Sequence, residues 1–435
     1  MISVVLFAGH EKEARDRISE IRENPLCRDG GLILVDFTPG FALTPWAEAE
    51  HVIAFRPKDE KTPFSYGELL TKVQETAPKG DDLYLTTDRF PVTESCLTAL
   101  TEVFSVEPDL AAVGGIFPDF NYFVQGAVTD ASENGIQHTL YLESEVLCIR
   151  RAALEELGGV DRALYGKREV LKDWFLQVMR SRKWKMGICE RAEHRVVPGC
   201  AGREDDVYDA DIRHFESKWG VHYVNLVANT NLIDYMLPCD KPVMRVLEIG
   251  CSCGATLYSV KERYPNAEIF GCDINAAAVG IASFFSDARV IDLENEELPW
   301  PKYSFDCILC GDILEHLLDP QGILRKMRQY LVPGGYVVAS IPNLMHITVM
   351  ENLLKGNFTY TEYGLLDRTH IHFFTFDEIA RMFTIAGYRI DEIFYTMPPI
   401  TKAQEDLIGR LLALNMGAEE FMYRAFQYLL RAAAI

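Results

Sequence analysis

The chain has 435 residues, of which 48% are hydrophobic and 25% are charged, with 64 acidic against 43 basic side chains and a formal net charge of −21. This length exceeds what a single hydrophobic core usually organises, so we expect at least two globular domains. The acidic balance repels phosphate backbones and argues against a nucleic acid duplex as a partner.

The sequence predicts no membrane span, because no segment has the roughly 20 uninterrupted apolar residues that a span requires. The longest apolar stretch, 335–354, is broken by Pro342, Asn343, His346 and Glu351. The apolar start of the chain has no basic region before it and therefore does not resemble a secretion signal. We predict a cytoplasmic protein.

The first 200 residues alternate short apolar runs with amphipathic helical patterns. This order predicts a mostly parallel α/β sheet with a ligand site at the carboxyl ends of the strands. The predicted strands are Ile2–Ala8, Leu32–Phe37, Val52–Phe55 and Leu83–Thr87, and the predicted helices are Glu11–Asn24, Tyr66–Thr76 and Glu94–Phe104.

A second α/β series begins near Val243 and ends with a strand at Arg389–Tyr395. Before it, residues 223–240 are predicted to form a bridging helix or linker, with the helix ending before Pro238. After it, helical patterns cover Lys402–Leu414 and Glu419–Ala433. The predicted domains are therefore 1–222, 223–240, 241–400 and a helical tail at 401–435.

The strongest motif is a strand that runs into a loop bounded by Gly250 and Gly254, with a helix immediately after it. Glycine permits a tight turn and close approach of a ligand, and the helix N-terminus offers free N–H groups. The next two strands end at Asp273 and Asp292. An acid at the first position can bind two ribose hydroxyls, and one at the second can accept from an amine such as that of adenine. Each aspartate is alternatively a cap or turn residue.

These motifs, together with Ser304–Asp306, Gly311–His316 and Leu331–Gly335, resemble class I S-adenosylmethionine-dependent methyltransferases over about 245–390. The resemblance implies a Rossmann-like fold and S-adenosylmethionine as the cofactor. A dehydrogenase would instead carry a Gly-x-Gly-x-x-Gly loop, which this segment lacks. The implied cofactor-binding residues are Glu248, Gly250, Cys251, Gly254, Asp273, Ile274, Asp292, Leu293 and Gly311.

Three histidines are the predicted catalytic residues, because a hydroxyl acceptor benefits from a base that titrates near neutral pH. His316 follows the fourth strand, and His370 and His372 are spaced to share one face of an extended strand. The alternative is that they pack or cap. His370 and His372 can also ligate a metal, joined by Glu315 and His316, but no further ligand stands at a fixed spacing. We therefore predict no metal site in this domain.

The segments Ser340–Asn343 and Asp367–His370 resemble methyltransferases of surface-polysaccharide pathways. This resemblance implies a sugar or glycan-precursor hydroxyl as the acceptor. The insertion Asn343–Tyr363, with three aromatic residues, is placed to cover the acceptor pocket, although these rings are alternatively ordinary core. The helical tail is expected to replace the seventh strand of the family, to cover the sheet edge or to form an oligomer.

Residues 1–222 resemble inverting glycosyltransferases of the GT-A fold. Asp36 stands at the position that contacts the nucleotide base, and Asp88 at the metal-binding Asp-x-Asp motif, where Thr86 replaces the first aspartate. The usual catalytic Glu-Asp pair falls on Val170-Leu171, with Asp173 nearby. The resemblance implies a nucleotide-sugar site at Asp36, Asp88 and Asp173, and Mn²⁺ or Mg²⁺ if the domain is active. We expect a degenerate glycosyltransferase-like domain.

Several functions are compatible with the sequence. The first is O-methylation of a sugar hydroxyl, by a chain that is either bifunctional or carries an inactive glycosyltransferase domain. The second is methylation of another small metabolite, with the N-terminal domain as a docking module. The third is a binding protein that senses S-adenosylmethionine without turnover.

Overall fold

The computed structural model describes residues 1–49, 52–56, 65–118, 135–143, 145–197, 209–221, 225–414 and 416–435. The chain divides into two compact units, Met1–Ala228 and Asn229–Ile435. Each unit is built around its own sheet of β-strands with helices beside it. Within the described residues, the helices are all too short or too polar to cross a membrane.

The N-terminal unit is an α/β unit with eight strands. The strands are β1 (Ile2–Ala8), β2 (Leu32–Asp36), β3 (Ile53–Phe55), β4 (Asp82–Thr87), β5 (Leu110–Ile116), β6 (Ile136–His138), β7 (Leu147–Ile149) and β8 (Lys185–Glu193). The helices are α1 (Glu11–Glu23), α2 (Thr44–Ala49), α3 (Tyr66–Thr76), α4 (Glu94–Val106), α5 (Arg151–Glu156), α6 (Lys167–Ser181) and α7 (Asp209–Trp219).

The order of strands in this sheet is β3-β2-β1-β4-β7-β5-β8-β6. The first four are parallel, as the sequence predicts, and every residue of the central strand β1 is buried. The sheet is mixed beyond them, because β7 pairs antiparallel with both β4 and β5, and β6 pairs antiparallel with β8. The ligand edge expected from the sequence is therefore formed by the carboxyl ends of β1, β2 and β4.

The C-terminal unit has seven strands. They are β9 (Met244–Ile249), β10 (Ala267–Asp273), β11 (Asp287–Val290), β12 (Phe305–Gly311), β13 (Leu331–Pro342), β14 (Tyr388–Thr396) and β15 (Gln427–Ala434). The helices are α8 (Thr230–Asp234), α9 (Ala255–Arg263), α10 (Ala276–Ala282), α11 (Pro320–Arg328), α12 (Ile347–Leu354), α13 (Phe376–Ile385), α14 (Lys402–Ala413) and α15 (Glu420–Arg424).

The strand order of the C-terminal sheet is β11-β10-β9-β12-β13-β15-β14. The first five strands are parallel, and β15 pairs antiparallel with β13 and β14. Separate apolar clusters cover the two faces: Leu257 of α9 and Val279 of α10 belong to one, and Leu324 of α11 and Ile379 of α13 belong to the other. This is the Rossmann-like α/β sheet that the sequence predicts.

The prediction of a helical tail at 401–435 is wrong for its second half. The helix α15 ends at Arg424, and Gln427–Ala434 forms strand β15 at an internal position of the sheet. Leu, Arg and Ala in this run favour a helix locally, but pairing with two strands outweighs that preference because it satisfies the backbone on both sides. The sheet therefore has its seventh strand, and β15 is not available as an oligomer-forming helix.

The predicted bridging helix is also wrong in extent, because only Thr230–Asp234 is helical and residues 222–224 lie outside the described ones. Two backbone N–H groups that would donate to backbone carbonyls in a longer helix donate to side-chain oxygens instead. The Val227 N–H donates to Asn225 Oδ1 over 3.0 Å, and the Asn229 N–H donates to Thr256 Oγ1 over 3.1 Å. These bonds hold residues 225–229 in a non-helical conformation.

Candidate functional site

The glycine loop after β9 is held tightly against the neighbouring strand. The N–H groups of Gly250 and Cys251 both donate to the carbonyl of Cys272, over 2.8 and 3.0 Å. Gly250 and Gly254 have φ of 70° and 81°, and Ser252 has φ of 46°. A Cβ on Gly250 would lie 2.8 Å from Ile313 Cδ1, so the loop also packs against the segment that follows β12. The loop thus joins the ends of three parallel strands at one edge.

Asp273 lies at this edge and is half-buried. Its Oδ2 accepts from the Ser252 N–H over 2.9 Å, and its Oδ1 accepts from the Asn275 N–H over 2.8 Å. A carboxylate has about four acceptor positions, so two remain for a ligand. Ile274, which follows it, is 70% exposed and presents an apolar surface beside the carboxylate. The carboxylate therefore keeps acceptor capacity beside an apolar surface, and the predicted ribose and adenine contacts of these two residues stay predictions.

Asp292 follows β11 and has local partners on both oxygens. Its Oδ1 accepts from the Glu294 N–H over 3.0 Å, and its Oδ2 accepts from Asn295 Nδ2 over 2.8 Å. The hydrogen bond from Asn295 is the main cause that lowers the pKa of Asp292. Leu293 beside it is buried. The aspartate thus organises a turn, and its remaining acceptor positions are compatible with a ligand amine.

Glu248 is a buried carboxylate with an unsatisfied atom. Its Oε2 has no hydrogen-bond partner among the described residues, although the side chain receives bonds from the Thr256 hydroxyl and the Leu257 N–H. Burial raises its pKa to about 8. A cationic group beside it would satisfy this atom and favour the ionised form. This environment fits the ammonium of a methionine moiety held by the glycine loop.

Gly311 ends β12 next to the loop, and Asp312, which follows it, was not among the site residues predicted from the sequence. Its φ of 49° lies in the left-handed region, which is costly for a residue with a side chain and is common at functional sites. The Asp312 carboxylate accepts from Gln427 Nε2, and its N–H donates to Ser340 Oγ over 3.1 Å. Its place in the Gly311–His316 motif was the available signal. The contact with Gln427 could not be foreseen, because that residue begins the unexpected strand β15.

Beyond Asp312, the side chains of Glu315, His316 and His370 converge. One ligand-type atom from each lies within 4.8 Å of those of the other two. The imidazole rings are 4.8 Å apart between centroids, and His370 Nε2 lies 3.9 Å from Glu315 Oε1. Glu315 is 1% exposed, and neither carboxylate oxygen has a hydrogen-bond partner within the described part of the chain. We call these three residues the histidine–glutamate cluster.

Charge and burial act strongly on this cluster. Burial, assisted by the negative charges of Asp312 and Asp367, raises the pKa of Glu315 well above its usual value. Burial lowers the pKa of His370. Both shifts oppose charge on groups that are buried close together. A group so perturbed beside a ligand-binding edge is a candidate for function.

His372 does not join the cluster. Its Nε2 lies 3.2 Å from the carbonyl oxygen of Leu318, to which it can donate a hydrogen bond. The expected extended strand is absent, because residues 370–373 form no strand and only Phe374 makes an isolated bridge. Instead, the N–H groups of Ile371 and His372 both donate to the Glu315 carbonyl over 3.0 Å. These bonds replace a strand ladder and direct the two histidines to different surroundings.

Aromatic rings of the predicted insertion lie next to the cluster. Phe358 and Tyr360 contact Phe373 with centroid distances of 5.5 and 6.2 Å, and Phe373 lies 6.1 Å from His370. Phe358 and Tyr360 are 41% and 50% exposed. Tyr363 is more exposed still, at 75%. The insertion thus presents open apolar rings beside the histidine–glutamate cluster rather than burying them as core.

In the N-terminal unit, one of the three aspartates predicted to bind a nucleotide sugar lines a cavity. Asp88 lines a cavity at the ends of β1, β2 and β4, together with Phe37, Tyr66, Arg89 and Lys167. Asp36 and Asp173 do not line this cavity. The nucleotide-sugar role of the three aspartates stays a prediction, and only Asp88 borders this cavity.

Both oxygens of Asp36 and of Asp173, and Oδ2 of Asp88, have neighbouring donors. Asp36 is fully buried and accepts from the hydroxyls of Thr38 and Thr44. Asp88 Oδ2 accepts from the N–H groups of Gly9 and His10, over 2.7 and 2.6 Å. For Asp173, the partners are Lys218, Trp219 and Gln177. Each carboxylate thus fixes local structure, which the strand-end position alone could not reveal.

Residues 222–393 match the family model of a methyltransferase domain. The human tRNA N(3)-cytidine methyltransferase METTL2B is 26% identical over 59% of this chain and 67% of its own length. The ubiquinone biosynthesis O-methyltransferase of Aeromonas salmonicida (strain A449) is 28% identical over 34% of this chain and 64% of its own length. The chain spans about half to two thirds of the length of the tRNA methyltransferases that it matches.

Among solved structures, an S-adenosylmethionine-dependent methyltransferase from Archaeoglobus fulgidus is 18% identical, with a TM-score of 0.36 over 51% of this chain and 98% of that one. The family match coincides with the glycine loop, the strand-end aspartates and strands β9 to β14. Residues 222–393 therefore form a class I S-adenosylmethionine-dependent methyltransferase domain.

Proposed function

We propose that the C-terminal unit transfers the methyl group of S-adenosylmethionine to a hydroxyl of a sugar or glycan precursor. The observation that carries the proposal is the histidine–glutamate cluster, which stands beyond the end of β12 next to exposed aromatic rings. Bound S-adenosylmethionine supplies an electrophilic methyl group on a sulfonium centre. The residues of this chain bind it, orient the acceptor and receive or release the acceptor's proton.

In this proposal Glu248 and the glycine loop hold the methionine part, and Asp273 holds the ribose. Ile274, Asp292 and Leu293 surround the adenine, and Gly311 leaves room beside the transferable methyl. Support comes from the unpaired Glu248 Oε2, the open acceptor positions of Asp273 and the exposed face of Ile274. Alignment of donor and acceptor then supplies much of the rate, as in other displacements between bound groups.

A hydroxyl acceptor is favoured because its proton must leave, and the cluster offers a route for it. His316 is half-buried, and its Nδ1 faces the Thr369 carbonyl over 3.2 Å, which leaves Nε2 as an acceptor. His370 lies behind it, with Glu315. The rings of Phe358, Tyr360 and Tyr363 offer flat apolar surfaces of the kind on which sugar faces or bases stack.

The relatives act on different acceptors, so the acceptor must be tested directly. We would measure transfer of radiolabelled methyl from S-adenosylmethionine to a glycan-precursor fraction, to tRNA and to small phenols in parallel. Transfer to the glycan fraction that is reduced about 100-fold or more in His316→Ala supports the proposal. Transfer to tRNA or a phenol alone would replace the acceptor, and tight binding of S-adenosylhomocysteine without any transfer would favour a sensor.

For the N-terminal unit, we propose a nucleotide-sugar binding domain of GT-A type that does not catalyse sugar transfer. The cavity beside Asp88 is lined by cationic Lys167 and by aromatic Phe37 and Tyr66, a combination that suits a phosphate and a base. Arg89 also lines it and is ion-paired with Glu145 over 3.5 Å. Asp88 Oδ2 already accepts from two backbone N–H groups, and Thr86 stands in place of the partner aspartate, so the motif would offer a metal only Asp88 Oδ1.

This proposal is tested by thermal shift with UDP, GDP and dTDP, each with and without Mn²⁺. A shift that is independent of Mn²⁺ and lost in Lys167→Ala supports binding without metal-dependent transfer. A shift that requires Mn²⁺ would instead favour an active glycosyltransferase, and no shift with any nucleotide would favour a docking module.

A further inference from the structure

We infer that the histidine–glutamate cluster is a binding site for a divalent transition-metal cation, which also binds the oxygen of the acceptor. Glu315, His316 and His370 offer two imidazole nitrogens and one carboxylate, with their ligand atoms within 4.8 Å of one another. The role of the cation in activating the acceptor rests on the proposed hydroxyl acceptor, whereas cation binding itself depends only on the histidine–glutamate cluster. It reverses the expectation, drawn from sequence spacing, that this domain has no metal site.

The hydrogen bonds of the two histidines leave the correct nitrogens free. His316 Nδ1 lies 3.2 Å from both the carbonyl and the hydroxyl oxygen of Thr369, and that hydroxyl donates its own proton to Asp367 Oδ1. His370 Nδ1 lies 3.3 Å from the Leu365 carbonyl oxygen. A carbonyl only accepts, so each Nδ1 carries the proton and each Nε2 presents a lone pair. This is the arrangement by which proteins fix metal-binding histidines, with one ring nitrogen bonded to a backbone carbonyl.

The carboxylate supplies a second and independent indication. Only 1% of Glu315 is exposed to solvent, and both of its carboxylate oxygens lack a hydrogen-bond partner within the described residues. Its Oε1 lies 3.9 Å from His370 Nε2, which is too long for a hydrogen bond and leaves space between the two atoms. A buried carboxylate without partners is costly unless a cation or proton satisfies it. A cation in this space would satisfy Glu315 and both imidazoles together.

The backbone holds these ligands in place. The Glu315 carbonyl accepts from the N–H groups of Ile371 and His372, over 3.0 Å each. These bonds tie the turn that carries Glu315 and His316 to the segment that carries His370. Asp312 and Asp367 add negative charge near Glu315 and thereby favour a cation. The site is therefore organised by contacts that do not depend on the cation.

The type of cation follows from the ligands. Two imidazoles and a carboxylate suit Zn²⁺, Mn²⁺, Fe²⁺ or Co²⁺, whereas an all-oxygen set would suit Mg²⁺ or Ca²⁺. Three protein ligands leave at least one position open for another oxygen. A cation-bound hydroxyl loses its proton more readily. With both Nε2 atoms bound to the cation, the cation replaces His316 as the activating group, and the acceptor O–H bond breaks with release of the proton to solvent. The new O–C bond then forms as the S–C bond breaks and the sulfonium becomes a neutral thioether.

We would test the site on full-length protein without a polyhistidine tag, after treatment with a chelator. Titration with Co²⁺, followed by visible absorption and by calorimetry, is expected to show one bound ion per chain at this site. Glu315→Gln and His370→Ala are each expected to weaken binding at least about 10- to 100-fold. His372→Ala is the matched control, because His372 is two residues away and bonds the Leu318 carbonyl, and it should leave Co²⁺ affinity unchanged.

The thermal shift with S-adenosylhomocysteine shows whether each variant is folded, since the cofactor residues are not altered. The absence of Co²⁺ binding to the wild-type protein, or equal binding by Glu315→Gln and His370→Ala in their folded form, would overturn the inference. Methyl transfer that persists at full rate in excess chelator would overturn the role of the cation in activating the acceptor. Cation binding at the cluster without transfer to any sugar would refute the proposed acceptor and leave the site intact.

Discussion

Both units place aspartates at the carboxyl ends of parallel strands, but the surroundings of these carboxylates differ. In the C-terminal unit, Asp273 and Asp292 are half-buried and each oxygen has one local donor. In the N-terminal unit, Asp36 is fully buried and accepts three hydrogen bonds from Thr38 and Thr44. Asp88 is 3% exposed and has both of its backbone donors on Oδ2. Asp273 and Asp292 thus have capacity left for a ligand, whereas Asp36 is committed to the fold.

The contrast between the two units shows that a position at the end of a strand does not by itself determine whether a carboxylate binds a ligand or stabilises the fold. The role depends on how many of its acceptor positions the protein itself occupies and on how much of the side chain reaches solvent. Glu248 is an intermediate case, since it is buried like Asp36 but retains an unpaired oxygen. Substitution of each carboxylate should therefore change either ligand affinity or stability, according to which of the two roles it has.

The largest expected effect is that of Asp273→Ala on cofactor binding. The substitution removes two charge-assisted hydrogen bonds to the ribose, at roughly 1.5–3 kcal/mol each, so S-adenosylhomocysteine affinity should fall by about 100-fold or more. Calorimetry measures the affinity, with Asp391→Ala, an exposed carboxylate of β14, as the control. Unchanged affinity in Asp273→Ala would mean that this strand end has no ligand role.

Asp36→Ala is expected to act on stability instead. Loss of the carboxylate leaves the Thr38 N–H and the hydroxyls of Thr38 and Thr44 without their acceptor, which should lower the free energy of unfolding of the N-terminal unit by about 2–3 kcal/mol. Denaturant unfolding measures this change, and the exposed Asp29→Ala should have little effect. Cofactor affinity should not change. A stable variant that loses nucleotide binding would contradict the structural role.

Glu248 is expected to make both the free energy of unfolding and the affinity for S-adenosylhomocysteine depend on pH, with an effect of intermediate size. Its folded-state pKa of about 8 exceeds the ordinary 4.5, so between these values the folded protein holds a proton that the unfolded chain has released. Its contribution to the free energy of unfolding is therefore fully present below about pH 4.5 and is lost as the pH rises to about 8. An ammonium bound beside it requires the ionised form. Affinity for S-adenosylhomocysteine should accordingly rise with pH up to pH 8, by at most about tenfold per unit.

Calorimetry in two buffers of different ionisation enthalpy would detect this coupling as the release of up to one proton near pH 7. Glu248→Gln carries no such proton and should show no release and a flat pH profile. Proton release that persists in Glu248→Gln would assign the titration to another group.

The smallest effect is expected for Asp292→Ala. Its carboxylate is partly exposed and is proposed to make only one of several adenine contacts, so affinity for S-adenosylhomocysteine should fall by less than about tenfold. The same calorimetric titration applies, again against Asp391→Ala. A loss as large as that in Asp273→Ala would mean that Asp292 organises the whole binding edge rather than one contact.

Local patterns predicted most strands and helices well. The strand Ile2–Ala8 and the helix Tyr66–Thr76 occur with the predicted bounds, and the helix at Glu11 ends one residue earlier than predicted. These segments have a clear apolar period that agrees with their packing. The prediction was wrong for the second half of the tail, where the local preference disagrees with the packing. Residues 427–434 favour a helix locally but form strand β15 because two neighbouring strands provide backbone partners.

The glycine loop, the succession of strands along the C-terminal unit up to β14 and the residues at the strand ends could be predicted from the sequence, because they depend on neighbours close along the chain. The tertiary structure decided which side chains meet. It brought His370 to Glu315 and His316 across more than 50 positions, and it directed His372 to the Leu318 carbonyl. It also surrounded Asp36 with donors. Such contacts depend on packing between distant segments, which spacing along the chain does not encode.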